Sequence, residues 1–203
     1  MAVPHEVIIA APYQVYWAPT GTAFTTLDDL TPNAPWALVG TSGNLNYDEG
    51  AAITVMHEQE ILEWQSLGDA GTRKVWRKRE GLKVSLTLAD LTLEQYRHAM
   101  NYNAVTDVAA GSGTAGYRKI GLSRGLLVAQ VALMIRGVSP YDNETYLSQF
   151  EIPFAFNTGS QEVKLGSKDG PSMLALEWTA VIDPNASALE RFGRLIAQDA
   201  AAL

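Results

Sequence analysis

Three histidines are the side chains of this sequence whose ordinary pKa lies closest to neutral pH, so they are the first candidates for acid–base or metal chemistry. His57 stands beside Glu58 and close to Glu60 in a stretch that alternates like a β-strand. Neighbouring side chains of a strand point to opposite faces, so His57 does not share a face with either glutamate. His98 lies within a short predicted helix, where we expect a partly exposed polar residue. We therefore predict no metal site.

Other catalytic signatures are equally weak. The chain has no cysteine, and it contains no G-x-S-x-G, S-x-x-K or phosphate-binding G-x-x-x-x-G-K-S/T motif. Residues 111–116 read GSGTAG, which matches the dinucleotide fingerprint, but the following YRKIGLSRG has no helical period to receive a pyrophosphate. We predict a flexible loop at 102–117, no cofactor and no enzymatic activity.

Composition favours one globular domain over residues 1–203. Hydrophobic residues make up 47% of the chain and charged residues 18%. The net charge is -7, which disfavours a protein that grips phosphates, because nucleic-acid affinity comes mainly from basic side chains. The first residues lack the basic start of a secretory signal, and no apolar run approaches the roughly 20 residues of a membrane helix. We expect a cytoplasmic protein without membrane insertion.

The elements that would position any site are clearest at residues 81–101. Leu82, Val84, Leu86 and Leu88 alternate with polar or small residues, which predicts a half-buried strand. The period then becomes helical, and Thr92 with Gln95 has the spacing of a capping box. A short helix is predicted there, and its apolar positions are Leu93, Tyr96 and Met100.

A long hairpin precedes this unit, because residues 52–67 and 73–89 are β-compatible and are joined by the loop composition of 68–71. Its charges are segregated: residues 48–69 hold six acidic and no basic side chains, whereas 73–83 hold six basic side chains and one acidic. The opposite charges either pair across the hairpin or join two subunits. The second interpretation makes these residues a candidate interface: Glu58, Glu60, Glu63, Trp64, Arg73, Lys74, Trp76, Arg77, Lys78 and Arg79.

The remaining segments complete a mainly β fold. We predict a loop insertion at 19–35 and a strand covered on both faces at 126–135. Residues 146–156 alternate as a core strand, with Pro153 at a sheet edge or a bulge, and a further strand follows at 172–183. A C-terminal helix and tail follow at 185–203, where Ser187 and Glu190 have capping-box spacing. The whole is a β-sandwich or barrel of about eight strands with a flanking short α-helix and a projecting hairpin arm at 52–80.

A family resemblance rests on the order of these elements. WALVGTSGNLNYDEGAAITV at 36–55, the long hairpin, and KVSLTLADLTLEQY at 83–96 resemble the major tail tube proteins of long-tailed bacteriophages. The resemblance covers roughly 36–101 and implies a β-sandwich that assembles into hexameric rings stacked as a tube. It also implies a lumen through which double-stranded DNA passes without specific binding, tape measure and tail-end proteins as partners, and a place in the virion tail, assembled in the bacterial cytoplasm.

Other interpretations stay open. The segment 19–35 is longer than a minimal tube fold requires. The chain could therefore also be a baseplate or terminator paralogue of the tube protein, or the tube of a gene-transfer particle. The five tryptophans could instead form the sugar-stacking face of a carbohydrate-binding sandwich: Trp17, Trp36, Trp64, Trp76 and Trp178. An enzyme whose site has no recognisable motif is the third alternative.

Overall fold

The computed structural model describes residues 12–28, 31–51, 53–138, 147–160, 162–163 and 170–198. Within them the chain is mainly β, as predicted. The strands are β1 Tyr13–Pro19, β2 Ala37–Leu38, β3 Thr54–Gln65, β4 Thr72–Leu88, β5 Val105–Val108, β6 Tyr117–Ile120, β7 Val131–Val138, β8 Leu147–Asn157, β9 Leu174–Ala180 and β10 Arg194–Ala197. One short helix, α1 Leu93–Tyr96, and 3₁₀ turns at Gly43–Asn46 and Glu49–Ala51 accompany them.

Strand β8 is the centre of an eight-stranded antiparallel sheet in the order β2-β1-β7-β8-β9-β4-β3. β7 pairs along one edge of β8, and the other edge is divided between β10 near its start and β9 near its end. Side chains from both halves of the sheet, including Val15 and Leu133 on one and Leu86 and Leu176 on the other, belong to one buried cluster. The sheet therefore folds over a common core, which is consistent with a β-sandwich.

Pro153 marks a bulge in β8. Leu133 of β7 pairs with Ile152, whereas Val131, two residues away, pairs with Ala155, so β8 has one residue more than β7 over this interval. Because β8 has neighbours on both sides, the bulge alternative is confirmed and the edge alternative is wrong. The bulge changes which side chains face the core: Ala155 is buried, and Phe154 and Phe156, predicted as core residues, are only half-buried.

Within the loop insertion predicted at 19–35, residues 23–25 cover the second face of the sheet. Phe24 stacks on Trp36 with ring centroids 5.2 Å apart, and the Trp36 indole donates to the Ala23 carbonyl at 2.9 Å. The buried Gln149 side chain donates to the Thr25 carbonyl at 2.9 Å. A second small apolar cluster, which includes Met134 and Ala132, packs against Phe24 of this segment. The sheet is thus buried on both faces here, which explains the uninterrupted apolar character of β7.

The predicted C-terminal helix is wrong. Residues 184–192 form turns, and β10 pairs with β8 on the edge that β9 leaves free. Two features outweigh the helical period: Gly193 adopts φ +125°, and the Arg194 guanidinium lies 2.7 Å from the carboxylate of buried Glu151. An unpaired carboxylate in that position would be costly, so the ion pair favours the strand. Residues 199–203 of the predicted tail lie outside the described residues.

The short helix is confirmed, although it is one turn long. The Thr92 hydroxyl accepts from the Gln95 backbone amide at 3.4 Å, which is one half of the predicted capping box. The other half is wrong, because the Gln95 side chain accepts from the Gly40 amide and the Thr92 amide donates to Asp90. Met100 is buried beyond the helix end, whereas Leu93 and Tyr96 are half-buried. His98 is buried, so its predicted exposure is wrong. Its ring lies 5.3–6.4 Å from those of Trp17, Tyr102 and Trp178.

Burial of His98, together with the nearby Arg97 charge, lowers its pKa from 6.5 to about 3. Between these values the unfolded chain binds a proton that the folded chain does not, so acid weakens the fold. We expect this histidine to reduce the free energy of unfolding by about 1.4 kcal/mol per pH unit below pH 6. Urea unfolding at pH 7, 5.5 and 4.5 measures the slope. His98→Asn should flatten it, and equal slopes for both proteins would contradict the assignment.

Candidate subunit interface

The predicted hairpin is present, and its outer part has no further neighbour in the described sheet. β3 pairs with β4 from Thr54 to Gln65, but β4 pairs with β9 only from Lys83 to Leu88. We call residues 58–81 the arm. It extends about 25 Å beyond the sheet at ~3.3 Å per residue. Its β4 residues from 72 to 80 are all exposed, and strict burial alternation begins only at Leu82, so the predicted anchor at 82–88 is confirmed.

Most charges of the arm are paired within it. The ion pairs are Lys78–Glu60 at 2.7 Å, Arg73–Asp69 at 3.0 Å, Arg77–Glu80 at 3.1 Å and, at the base, Lys83–Glu58 at 2.9 Å. The Arg73 hydrogen bond lowers the pKa of the Asp69 carboxyl, and Glu58 raises the pKa of the Lys83 amine. Cross-strand pairing, predicted for Glu60 and Glu63, is therefore confirmed for Glu60, and Glu58 also pairs across the hairpin. Glu63 instead accepts from the Thr72 hydroxyl at 2.7 Å.

Two basic side chains of the arm, Lys74 and Arg79, have no ion-pair partner among the described residues. Two register shifts leave Lys78 and Arg73 as extra residues on β4, opposite no residue of β3. Bulges with basic residues twist a strand and discourage further strand pairing at its edge. A partner is therefore expected to contact the arm mainly through side chains.

The arm tip displays large apolar side chains on both faces. Leu62 pairs with Trp76 and Trp64 with Lys74, so these four residues share one face, which we call the tryptophan face. The opposite face carries Ile61 and Val75. Trp64 and Trp76 are 46% and 49% exposed, although tryptophan is normally among the most buried residues of a folded chain.

A second exposed apolar surface lies in a segment that the sequence predicted as a buried strand. β7 begins only at Val131, and the preceding segment exposes Leu122, Leu126, Leu127 and Val128. We call residues 121–130 the leucine loop. Immediately before it, residues 105–120 form the β5–β6 hairpin. The loop predicted at 102–117 is therefore wrong for β5, whereas GSGTAG lies in the turn between the two strands, with a strand and no helix after it. The arginine of β6, Arg118, ties this hairpin to Glu94 of α1 and Asp107 of β5.

Two asparagines hold the leucine loop in place. The Asn101 amide donates to the carbonyls of Arg124 and Leu127, both at 2.7 Å, and its oxygen accepts from the Ala129 amide at 2.7 Å. Asn103 donates to two further loop carbonyls at 2.8 Å. Asn101 has φ +54°, a left-handed conformation that asparagine tolerates better than most residues. The loop is thus ordered by its hydrogen bonds although its leucines are exposed.

An open groove of about 590 Å³ lies between the base of the arm, β8 and the turn before β10. Apolar side chains line it: Leu82, Phe150, Ile152, Leu189, Phe192 and Leu195. Leu189 is almost fully exposed on its rim. The groove exists because residues 182–193 leave the sheet between β9 and β10 while the arm diverges from it.

Neither the leucine loop nor the groove was found from the sequence. The apolar run 126–135 fits a buried strand as well as an exposed loop followed by a strand. Only the contacts of Asn101 and Asn103 distinguish these two structures. The groove joins residues about 40 to 130 positions apart along the chain, so no local pattern signals it.

The tryptophans do not form one sugar-binding platform. Trp178 and Trp36 are buried in different clusters, and Trp17 packs beneath Arg97 with 5.0 Å between the guanidinium carbon and the ring centroid. Only Trp64 and Trp76 share an exposed face.

No group of three or more side chains able to hold a metal ion occurs in the part of the chain described here. No helix in that part is long and apolar enough to cross a bilayer.

The fold defines a mainly β protein built on one large antiparallel sheet, with a two-stranded arm extending from it. Comparison with protein-family models and with curated proteins found no match for this chain.

Proposed function

We propose that this chain is a structural subunit that assembles with copies of itself into hexameric rings, stacked as the tail tube of a long-tailed bacteriophage or a related gene-transfer particle. One observation carries the proposal: the arm extends about 25 Å from the sheet and exposes large apolar side chains on both faces. The resemblance of residues 36–101 to tail tube proteins supports the same interpretation.

An isolated two-stranded ribbon is marginally stable in water, and large exposed apolar surfaces usually mark interaction sites. The arm has both properties, so a partner would stabilise it. Tryptophan and arginine are also the residues most enriched among those that dominate binding energy at protein interfaces. We therefore expect Trp64, Trp76, Arg77 and Arg79 to contact the partner.

Charge supports a second copy as that partner. Residues 54–88 carry six basic and five acidic side chains, whereas the remainder of the chain carries nine basic and 17 acidic. The arm itself, residues 58–81, holds five basic and five acidic side chains. Its two cations without an ion-pair partner among the described residues, Lys74 and Arg79, would be attracted to the acidic body of another subunit. An acidic body also suits a channel through which DNA moves without being held, because it repels phosphates. In this proposal tape measure and tail-end proteins are the further partners of the tube.

Negative-stain electron microscopy of the concentrated, purified chain tests the proposal, with light scattering as a measure of mass. We expect rings and stacked filaments. A monomer at all concentrations would contradict self-assembly. Single rings that never stack would contradict a tube and favour a terminator-like role.

Reversing three charges of the arm, with Arg77→Glu, Lys78→Glu and Arg79→Glu together, is expected to stop filament growth while the subunit stays folded. The three side chains lie in an exposed stretch, where ion pairs add little to stability, but like charges across an interface are strongly unfavourable. Filament length by electron microscopy and thermal melting by circular dichroism measure the two effects.

The matched control for this variant is Arg77→Lys, Lys78→Arg and Arg79→Lys, which keeps all three charges and should keep the filaments. Filaments of normal length from the reversed variant would contradict a stacking role for these residues.

A further inference from the structure

We propose that the leucine loop of one copy docks in the groove beside the arm base of a second copy. This contact rests on the proposed self-assembly, and it adds the leucine loop and a groove that borders the arm base and shares Arg77 and Glu80 with the arm. The leucine loop and the groove are separate surfaces of one chain, so a copy whose loop binds one neighbour can still receive the loop of another neighbour in its groove.

The leucine loop has the properties of a prepared contact. Leu126 and Leu127 are almost fully exposed and Val128 is more than half exposed. The loop backbone is nevertheless held by five hydrogen bonds, four donated by Asn101 and Asn103 and one accepted by Asn101. An ordered loop loses little conformational freedom on binding, which favours affinity. The hydrogen bonds satisfy backbone groups of the loop in the isolated chain, but only an assembled chain would remove the leucine side chains from water.

The groove offers matching chemistry. Its apolar lining includes Leu82, Phe150, Ile152, Phe192 and Leu195. Its volume of about 590 Å³ falls within the range of pockets that enclose whole ligands, so it can admit two or three aliphatic side chains. Charged residues of both signs, including Arg77, Glu80 and Glu190, surround it, as in interfaces with an apolar centre and a polar rim.

A second copy is favoured as the occupant because loop and groove are complementary surfaces of the same chain. A contact between two different surfaces is heterologous, and repetition of it either closes a ring or continues as a filament. A stable interface buries about 800 Å² on each partner, which exceeds the area of four aliphatic side chains. The loop alone would therefore not hold two copies together, and the groove rim must contribute.

Disulfide trapping tests the contact directly, because the chain contains no cysteine of its own. Leu127→Cys on the loop and Leu189→Cys on the groove rim, combined in one chain, should give a ladder of covalent oligomers after mild oxidation. A bond requires Cα atoms within about 7 Å. Either single variant should stay monomeric on a non-reducing gel, and an equal mixture of the two should stop at dimers.

Leu45→Cys combined with Leu189→Cys is the matched control, since Leu45 is equally exposed but lies on a 3₁₀ turn outside the leucine loop. It should give no ladder. Asn101→Gly in the trapping variant keeps the left-handed backbone but removes three hydrogen bonds, and should reduce the ladder several-fold.

A ladder no stronger than the control, a bond formed within one chain, or dimers of Leu127→Cys alone would overturn the loop–groove contact. The proposed function is judged separately by microscopy of the unmodified chain. Filaments without a ladder would reject only this contact, whereas a ladder without rings or filaments would keep the contact and reject the tail tube.

Discussion

Replacing Trp64 and Trp76 together by serine is expected to abolish stacking of rings while the subunit keeps its melting temperature. Both indoles are about half exposed and lie on the tryptophan face of the arm, so the isolated fold gains little from them. Buried in an interface, such a tryptophan commonly contributes 2 kcal/mol or more. Loss of two should lower the stacking affinity by roughly 10³-fold or more. Sedimentation and filament length by electron microscopy measure the loss.

Two controls accompany this variant. Trp64→Phe with Trp76→Phe keeps aromatic surface and should retain part of the stacking. Leu45→Ser removes a more exposed apolar side chain from the body and should leave filaments unchanged. If the double serine variant formed filaments as long as those of the unmodified chain, the tryptophan face would have no part in assembly.

Gly193→Ala is expected to cause the largest loss of stability in the folded subunit. A Cβ at this position would lie 2.0 Å from the Glu151 carbonyl oxygen, and φ is +125°. Relief of this clash requires β10 to move away from β8, which would also separate Arg194 from the buried Glu151 carboxylate. We expect a loss of about 3–5 kcal/mol, measured by urea unfolding.

Gly68→Ala is the control for this substitution, because nothing lies within 4 Å of its Cβ position, and it should change stability by less than ~0.5 kcal/mol. Equal stability of the two variants would contradict the close approach of Gly193 to β8. A further test is Arg194→Gln, which keeps the β10 backbone but removes the ion-pair partner of Glu151. Its loss of stability should lie between those of Gly68→Ala and Gly193→Ala.

The arm shows how closely sequence and structure agree when an element is governed by local pattern. Its strands, the turn at 68–71 and the buried alternation from Leu82 to Leu88 all follow from residue type and period. Cross-strand pairing of Glu60 with a basic partner also followed, although the partner is Lys78 and the residue opposite Glu60 is Arg79. No residue pattern in the sequence predicts the bulge at Lys78, which shifts the pairing.

His98 and the C-terminal segment show where local pattern is insufficient. A histidine next to an apolar stripe looks partly exposed in a helical projection, but α1 ends at Tyr96 and the following turns carry His98 into an aromatic cage. The stripe of Leu189, Phe192 and Leu195 has helical spacing, yet the segment is recruited by the free edge of β8 and by the buried charge of Glu151. Both outcomes depend on residues distant in the chain.

The sequence by itself determined the mainly β class, the long charged hairpin and the capped turn of helix after it, because these depend on side-chain period and on hydrogen bonds within a few residues. Only the tertiary structure decided which apolar side chains stay exposed. The leucine loop and the groove have the same residue types as the core. The leucine loop is set apart from the core by its hydrogen bonds to Asn101, and the groove by the path of residues 182–193 away from the sheet. Both features depend on residues far apart in the chain, so no local pattern encodes them.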